Sequence, residues 1–173
     1  MDFQLSEEEK LFKKTVHNFA DSRIAPMVDF WEKGDLSKAR PNIIQEYREL
    51  GMLGITLPEQ YGGGGLPAIY AILAIEELAR VTCRAAGPVM ESSLGPVRAI
   101  EKFGTEEQKQ RFIPPCARGE KFMSVGMTEP GAGSALTDLT TRAVLKGDHY
   151  VLNGQKRFIS GGGHSEWYMV YVR

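Results

Sequence analysis

The residues best able to do chemistry crowd into one stretch, Val125-Gly126-Met127-Thr128-Glu129-Pro130-Gly131-Ala132-Gly133-Ser134. An apolar run from Phe122 to Met127 leads into it as a strand. The chain then breaks into a loop that alternates hydroxyls with glycine and proline. Gly131 and Gly133 can adopt φ > 0 and leave their N–H groups bare. Successive bare amides form a concave anion site of the kind that holds a pyrophosphate, and Thr128 and Ser134 add donors at its two ends. A loop of this composition is equally a plain turn.

Other reactive side chains are less suggestive. Glu76 and Glu77 are adjacent, and adjacent positions on a helix point apart, so they make a poor acid–base pair. Gly62 to Gly65 lack the Lys-Ser/Thr ending of a P-loop and read as a mobile connector. Cys83 and Cys116 have no metal-ligand spacing and read as reduced thiols of a cytoplasmic protein. His17, His149 and His164 are scattered, as surface or capping histidines are. No metal site is expected.

The elements that must position the loop follow from periodicity. Ser6 and Glu9 form a capping box, and Phe12, Val16, Phe19 and Ala20 give the helix behind it one apolar face, to about Pro26 or slightly past it. A second helix is expected from Pro41 to Gly51, with Ile43, Ile44, Tyr47 and Leu50 inward. Between them the polar stretch 31–40 has no clear period, and Trp31 reads as a packing residue. Leu66 to Val81 is apolar nearly all round in its first part, as a buried helix is. Further helices run from Arg84 to Leu94, from Pro96 to Phe103, and from a Thr105 cap to near Pro114-Pro115. From Lys121 the period changes from 3.6 to 2. Arg142 to Leu145 and Tyr150 to Leu152 form a hairpin through Lys146-Gly147-Asp148. Asn153-Gly154 signals another, with Lys156 to Ile159 pairing back, and Trp167 to Val172 is a last strand.

The expected fold is therefore α+β: an all-α domain over residues 1–120, then an antiparallel β-domain of about five strands over residues 121–173 that is incomplete. Open strand edges are a liability, so the chain reads as truncated or as relying on a partner. The net charge of −1 over 173 residues gives no reason to expect nucleic acid or a membrane surface. No apolar run reaches the ~20 residues of a membrane span, and Met1-Asp2-Phe3 does not open a targeting leader.

Four segments, in order, resemble the acyl-CoA dehydrogenase family. Thr128-Glu129-Pro130-Gly131-Ala132-Gly133-Ser134 resembles its flavin-binding motif, and Asn153-Gly154-Gln155-Lys156-Arg157-Phe158-Ile159-Ser160 its second flavin segment. Leu57-Pro58-Glu59-Gln60-Tyr61-Gly62-Gly63 resembles the loop between its N-terminal helices, and Gly104-Thr105-Glu106-Glu107-Gln108-Lys109 a further helix start. The resemblance implies a flavoprotein oxidoreductase of fatty-acid metabolism that binds FAD and an acyl-CoA and dehydrogenates the thioester between its α and β carbons. Val125, Gly126, Met127, Thr128, Gly133 and Ser134 would then lie along the isoalloxazine and pyrophosphate. Met127 would pack on the ring, Thr128 would donate to the pyrimidine edge, and Ser134 would meet both the flavin phosphates and the pantetheine arm of CoA. Phe158, Ile159 and Ser160 would cover the other side, the Ser160 hydroxyl donating towards N5. Met90 to Gly95 would line the acyl pocket.

Three positions depart from the family pattern. Ser160 stands where threonine is usual, Phe158 where tryptophan is usual, and Ala135 where aspartate is usual. The family's catalytic base lies in a third, helical domain, so it is expected beyond Arg173 and no residue here is nominated. That domain also implies a homodimer or homotetramer, and an electron-transfer flavoprotein is the family's usual acceptor. Two alternatives remain at this stage: a related flavoenzyme on the same scaffold (acyl-CoA oxidase, nitroalkane oxidase or flavin monooxygenase), or a non-catalytic fragment.

Overall fold

The capping box foreseen at Ser6 is formed. Its hydroxyl accepts the Glu9 N–H, the Glu9 carboxylate accepts the Ser6 N–H, and α1 (Glu7–Phe19) follows. The computed structural model describes residues 4–33 and 36–173, and the chain divides into two compact units, Met1–Glu120 and Lys121–Arg173. Past Phe19 the helix does not simply end at Pro26. It widens into one π-helical turn, Ala20–Ile24, tightens into a 3-10 turn, Ala25–Met27, and resumes as α2 (Val28–Lys33). Proline has no N–H for the carbonyl four residues back, and these two irregular turns carry the chain past it. Trp31, in the stretch expected to be irregular, is in α2 and only 2% exposed.

The helix α3 (Leu36–Glu49) begins five residues before Pro41, which therefore lies in its second turn rather than its first. Leu36 to Arg40 are mostly residues that lose little freedom in a helix, and they extend it at the cost of one backbone bond at the proline. The unit continues with α4 (Ala68–Val81), α5 (Cys83–Ser93), α6 (Val97–Phe103) and α7 (Glu106–Ala117). A second capping box, Thr105 with Gln108, opens α7. This helix runs through Pro114 and Pro115 to Ala117, past its expected end, because Ile113, Cys116 and Ala117 are buried on one side of it. The phenol of Tyr47 donates to the Ala85 carbonyl at 2.9 Å and ties α3 to α5.

The glycine-rich segment 51–66 is a packed loop, not the mobile connector expected. Met52, Ile55, Leu57 and Tyr61 are buried in it. Gly64 and Leu66 donate to the Gly54 and Ile55 carbonyls at 3.0 and 2.9 Å. A Cβ on Gly63 would fall 2.5 Å from the Leu57 carbonyl carbon, so the glycine there serves close backbone approach. The hydroxyls of Ser92 and Ser93 at the end of α5 accept the Gly54 and Ile55 N–H groups.

In the second unit, β1 (Met123–Gly126) pairs in parallel with β4 (Trp167–Val170), and β2 (Arg142–Lys146) pairs antiparallel with β3 (His149–Asn153). The antiparallel expectation holds for the hairpin, whose turn is at Gly147, φ +64. The parallel pair arises because β1 and β4 are joined by a crossover of forty residues (127–166). The two pairs are stitched together where Arg173 donates to the Thr141 carbonyl at 2.9 Å and accepts the Ala143 N–H at 2.8 Å. Among the described residues there are four strands, not five. Asn153-Gly154 is not a hairpin turn, and Lys156 to Ile159 are not a strand. Gly154 is instead a point of close approach, where an added Cβ would lie 2.6 Å from Thr141 Cα. No helix among the described residues is long and apolar enough to cross a membrane.

Candidate functional site

Strand β1 delivers the Thr128 loop. Val125 pairs with Met169 and Gly126 with Val170, and the Gly126 carbonyl accepts the Tyr171 N–H at 3.0 Å. After Gly126 the chain leaves the ladder, and Glu129 turns inward. Its side chain is almost fully buried, and four donors reach the carboxylate. These are the Thr140 N–H at 2.7 Å, the Thr140 hydroxyl at 2.7 Å, the Thr141 N–H at 2.9 Å and the Lys156 ammonium at 2.9 Å. The threonine and lysine bonds hold the Glu129 carboxyl far below the usual carboxylate range. The same ammonium donates to the Met127 carbonyl at 2.9 Å, and the Arg157 N–H donates to the Thr128 carbonyl at 3.0 Å.

Residues 127, 128 and 129 are thus each held by Lys156 or Arg157, which brings together the two segments that the sequence singled out. Sequence reasoning missed the Glu129–Lys156 pair. Its only signal was a lone acid in one glycine-containing segment and a Lys-Arg pair in the other.

Between these fixed points the N–H and hydroxyl of Thr128 donate to no described residue, although the side chain is half-buried. Glu129 and Ala132 exchange backbone hydrogen bonds at 2.9 and 3.2 Å across a tight turn, and Ala132 is buried. Gly131 and Gly133 do not take the left-handed φ open to them, and a Cβ on either would meet open space. Neither conformation nor packing within the chain therefore requires glycine at these positions. Their N–H groups, and that of exposed Ser134, donate to no described residue.

On the other segment, Phe158 is the one non-glycine residue with positive φ (+58) among the described residues, and its ring is 79% exposed. The Arg157 guanidinium lies 4.4 Å from that ring's centroid. Ile159 is half-buried and Ser160 is exposed. The turn after them is tightly packed. A Cβ on Gly161 would run into the Ser124 and Ser165 hydroxyls, which share a 2.7 Å hydrogen bond, and the Gly161 carbonyl accepts the N–H groups of His164 and Ser165.

The arrangement offers donors that fit a flavin: the unpaired hydroxyl and N–H of Thr128, the unpaired amides of Gly131, Gly133 and Ser134 with open space beside both glycines, and an exposed aromatic ring on a residue of positive φ. Among the described residues no group of His, Cys, Asp and Glu is fit to hold a metal ion.

A helical unit followed by a β unit that carries these two loops sets the class of fold as α+β, and comparison with known proteins specifies the family. Residues 6–120 match the family model "Acyl-CoA dehydrogenase, N-terminal domain", and residues 124–173 match "Acyl-CoA dehydrogenase, middle domain". The chain belongs to the acyl-CoA dehydrogenase family.

The short-chain specific acyl-CoA dehydrogenase of Clostridium acetobutylicum is 36% identical over 99% of this chain and 45% of its own length. The mitochondrial isobutyryl-CoA dehydrogenase of Dictyostelium discoideum is 40% identical over 98% of this chain and 40% of its own. Among solved structures, an acyl-CoA dehydrogenase from Bacillus anthracis complexed with FAD matches with a TM-score of 0.87 at 33% identity. The match covers 98% of this chain and 29% of that one. The chain spans less than half the length of these curated relatives.

Proposed function

We propose that this chain is the FAD-holding part of an enzyme that dehydrogenates an acyl-CoA thioester between its α and β carbons. Residues 1–120 would be its N-terminal helical domain and residues 121–173 the start of its middle β-domain. The observation that carries the reading is Thr128. Its carbonyl and both neighbouring residues are tied down, while its N–H and hydroxyl, beside the bare amides of Gly131, Gly133 and Ser134, have no partner in the described chain. A half-buried threonine prepared in this way serves a ligand with an acceptor edge.

FAD, when bound, supplies the two-electron acceptor for the hydrogen that leaves the β carbon. The chain's own residues bind and orient. Thr128 donates to the pyrimidine edge, where donors favour negative charge. Ser160 donates towards N5. Met127, with Val125 and Gly126 behind it, faces the ring from one side, and Phe158 with Ile159 from the other. The Gly133 and Ser134 amides, with Gly131, receive the phosphates, and the Ser134 hydroxyl also meets the pantetheine arm.

The proton-abstracting base is not assigned to this chain. Glu129 is occupied by four donors. Burial pushes Glu77 up, but the His17, Arg80 and Lys13 partners outweigh it and hold the carboxyl below its usual value, so it too is a poor proton acceptor. The base, a homodimeric or homotetrameric assembly and an electron-transfer flavoprotein as acceptor belong to the same proposal. So does a cytoplasmic location, which suits two cysteines that form no disulfide.

The test is Gly131→Ala and Gly133→Ala. In the ligand-free chain each is expected to leave stability unchanged or raise it by up to about 1 kcal/mol, because the site is open and the unfolded chain loses freedom. Weak, saturable FAD binding to the chain should drop at least tenfold in both. FAD affinity that ignores both substitutions, or an unsubstituted chain that takes up no FAD, would refute the reading.

A further inference from the structure

The bond that Lys156 makes to Glu129 is only half of its geometry. Its ammonium sits between two acceptors, the Met127 carbonyl and the Glu129 carboxylate, each at 2.9 Å, and so straddles Thr128. The residue after it takes the Thr128 carbonyl. Both charged side chains are largely buried, Lys156 at 11% and Glu129 at 2% exposure. The lysine's methylene stem covers Gly126, where a Cβ would come within 3.5 Å of Lys156 Cγ. Glu129 is in turn anchored to residues 140 and 141, at the start of the β2–β3 hairpin.

We propose that Lys156 and Glu129 are positioning residues: the buried pair sets where Thr128 presents its N–H and hydroxyl, and so couples the flavin's pyrimidine edge to the Phe158–Ser160 segment. This rests on the flavin reading of the site. A surface ion pair would not serve, because water and side-chain entropy leave such pairs loose. A buried, multiply bonded pair holds one geometry, because every alternative leaves a charge without partners. The spacing makes the device economical. One ammonium fixes the residues before and after Thr128, and the adjacent N–H fixes the Thr128 carbonyl, which leaves the Thr128 N–H and hydroxyl free for a ligand. Since Arg157 and Phe158 are consecutive, moving Lys156 also moves the strained Phe158.

The experiment uses this chain with Lys156→Met, Lys156→Arg and the neutral double variant Glu129→Gln/Lys156→Met. It measures amide hydrogen exchange by NMR and titration with FAD. In Lys156→Met, exchange at the Arg157 amide should rise at least tenfold while amides of α4 and α7 change less than twofold. FAD affinity should fall at least tenfold, and the visible band of the flavin that still binds should move towards that of free FAD. Lys156→Arg, which keeps a cation with several donors, should restore most of the band shift. The double variant, which leaves no buried charge unpaired, should regain stability without regaining the band.

Unchanged Arg157 exchange in Lys156→Met would overturn the inference. So would loss of protection spread equally over the helices, or a normal flavin band in the double variant. An unsubstituted chain that binds no FAD would instead refute the flavin site itself, and the exchange results would still decide whether the clamp exists.

Discussion

Replacing Gly154 by alanine tests the packing beneath the site most directly. The new Cβ would lie 2.6 Å from both Cα and Cβ of Thr141 and closer still to its hydroxyl. Carbon atoms are comfortable at about 3.5–4.0 Å, so one strand must retreat by about 1 Å. Thr141 cannot do so freely. Its N–H is bound to Glu129 at 2.9 Å, its carbonyl accepts the Arg173 N–H at 2.9 Å, and it is buried. Overpacking of this kind costs about 1–3 kcal/mol. The backbone at φ +157 is a region that side-chain-bearing residues rarely adopt, for roughly 1–3 kcal/mol more. Reduced freedom of the unfolded chain returns about 0.4–1 kcal/mol. The expected net loss is about 3 kcal/mol at the middle of these ranges and about 1–5.6 kcal/mol across them, confined to the β unit.

The two tryptophans, Trp31 in the helical unit and Trp167 in the β unit, allow the assay: 5-fluorotryptophan labelling and urea unfolding followed by fluorine NMR. The Trp167 signal should shift its midpoint and the Trp31 signal should not. Gly147→Ala is the control. Its φ is +64 with open space around it, so it should cost only about 1 kcal/mol. A Gly154→Ala loss no larger than that of Gly147→Ala, or one read equally by Trp31, would refute the close-approach argument.

Two further outcomes are expected. Tyr47→Phe removes the buried hydrogen bond to Ala85 and should lower the stability of the helical unit by about 1 kcal/mol in urea unfolding, with the Trp31 signal moving alone; an unchanged midpoint would count against that bond. The pH dependence follows from Glu77 and Glu129, both held below the ordinary glutamate value of 4.5. A depressed carboxyl contributes stability that is complete above 4.5 and is lost as pH falls towards its folded value. Urea midpoints should therefore be insensitive to these two groups from pH 7 to 5 and decline below 4.5. Glu129→Gln should flatten that decline for Trp167 only, and an identical acid slope in wild type and variant would remove Glu129 from the account.

Local chemistry was legible wherever one residue and its near neighbours settle the outcome. Both capping boxes, the buried face of α4 and the Gly147 turn are of this kind, because a hydroxyl three residues from a carboxylate or carboxamide, or a glycine between alternating strands, acts over a few ångströms of contiguous chain. The order of helical and β units was legible for the same reason, since the hydrophobic period is local. Thr128 and Ser134 could be nominated as donors from their place in the loop.

What the sequence alone could not determine were contacts between residues far apart in the chain. Asn153-Gly154 carries a hairpin signal, yet Gly154 serves the approach of Thr141, thirteen residues away, and the strand after it never forms. Gly131 and Gly133 were read as conformational glycines, but their backbones are ordinary and the room lies in front of them. The glycines of the 51–66 loop looked like freedom and prove to be packing. The Glu129–Lys156 pair depends on two residues 27 positions apart in the chain returning to the same point. Its worth comes from burial, which tertiary structure creates by excluding water, and no run of neighbouring residues encodes that.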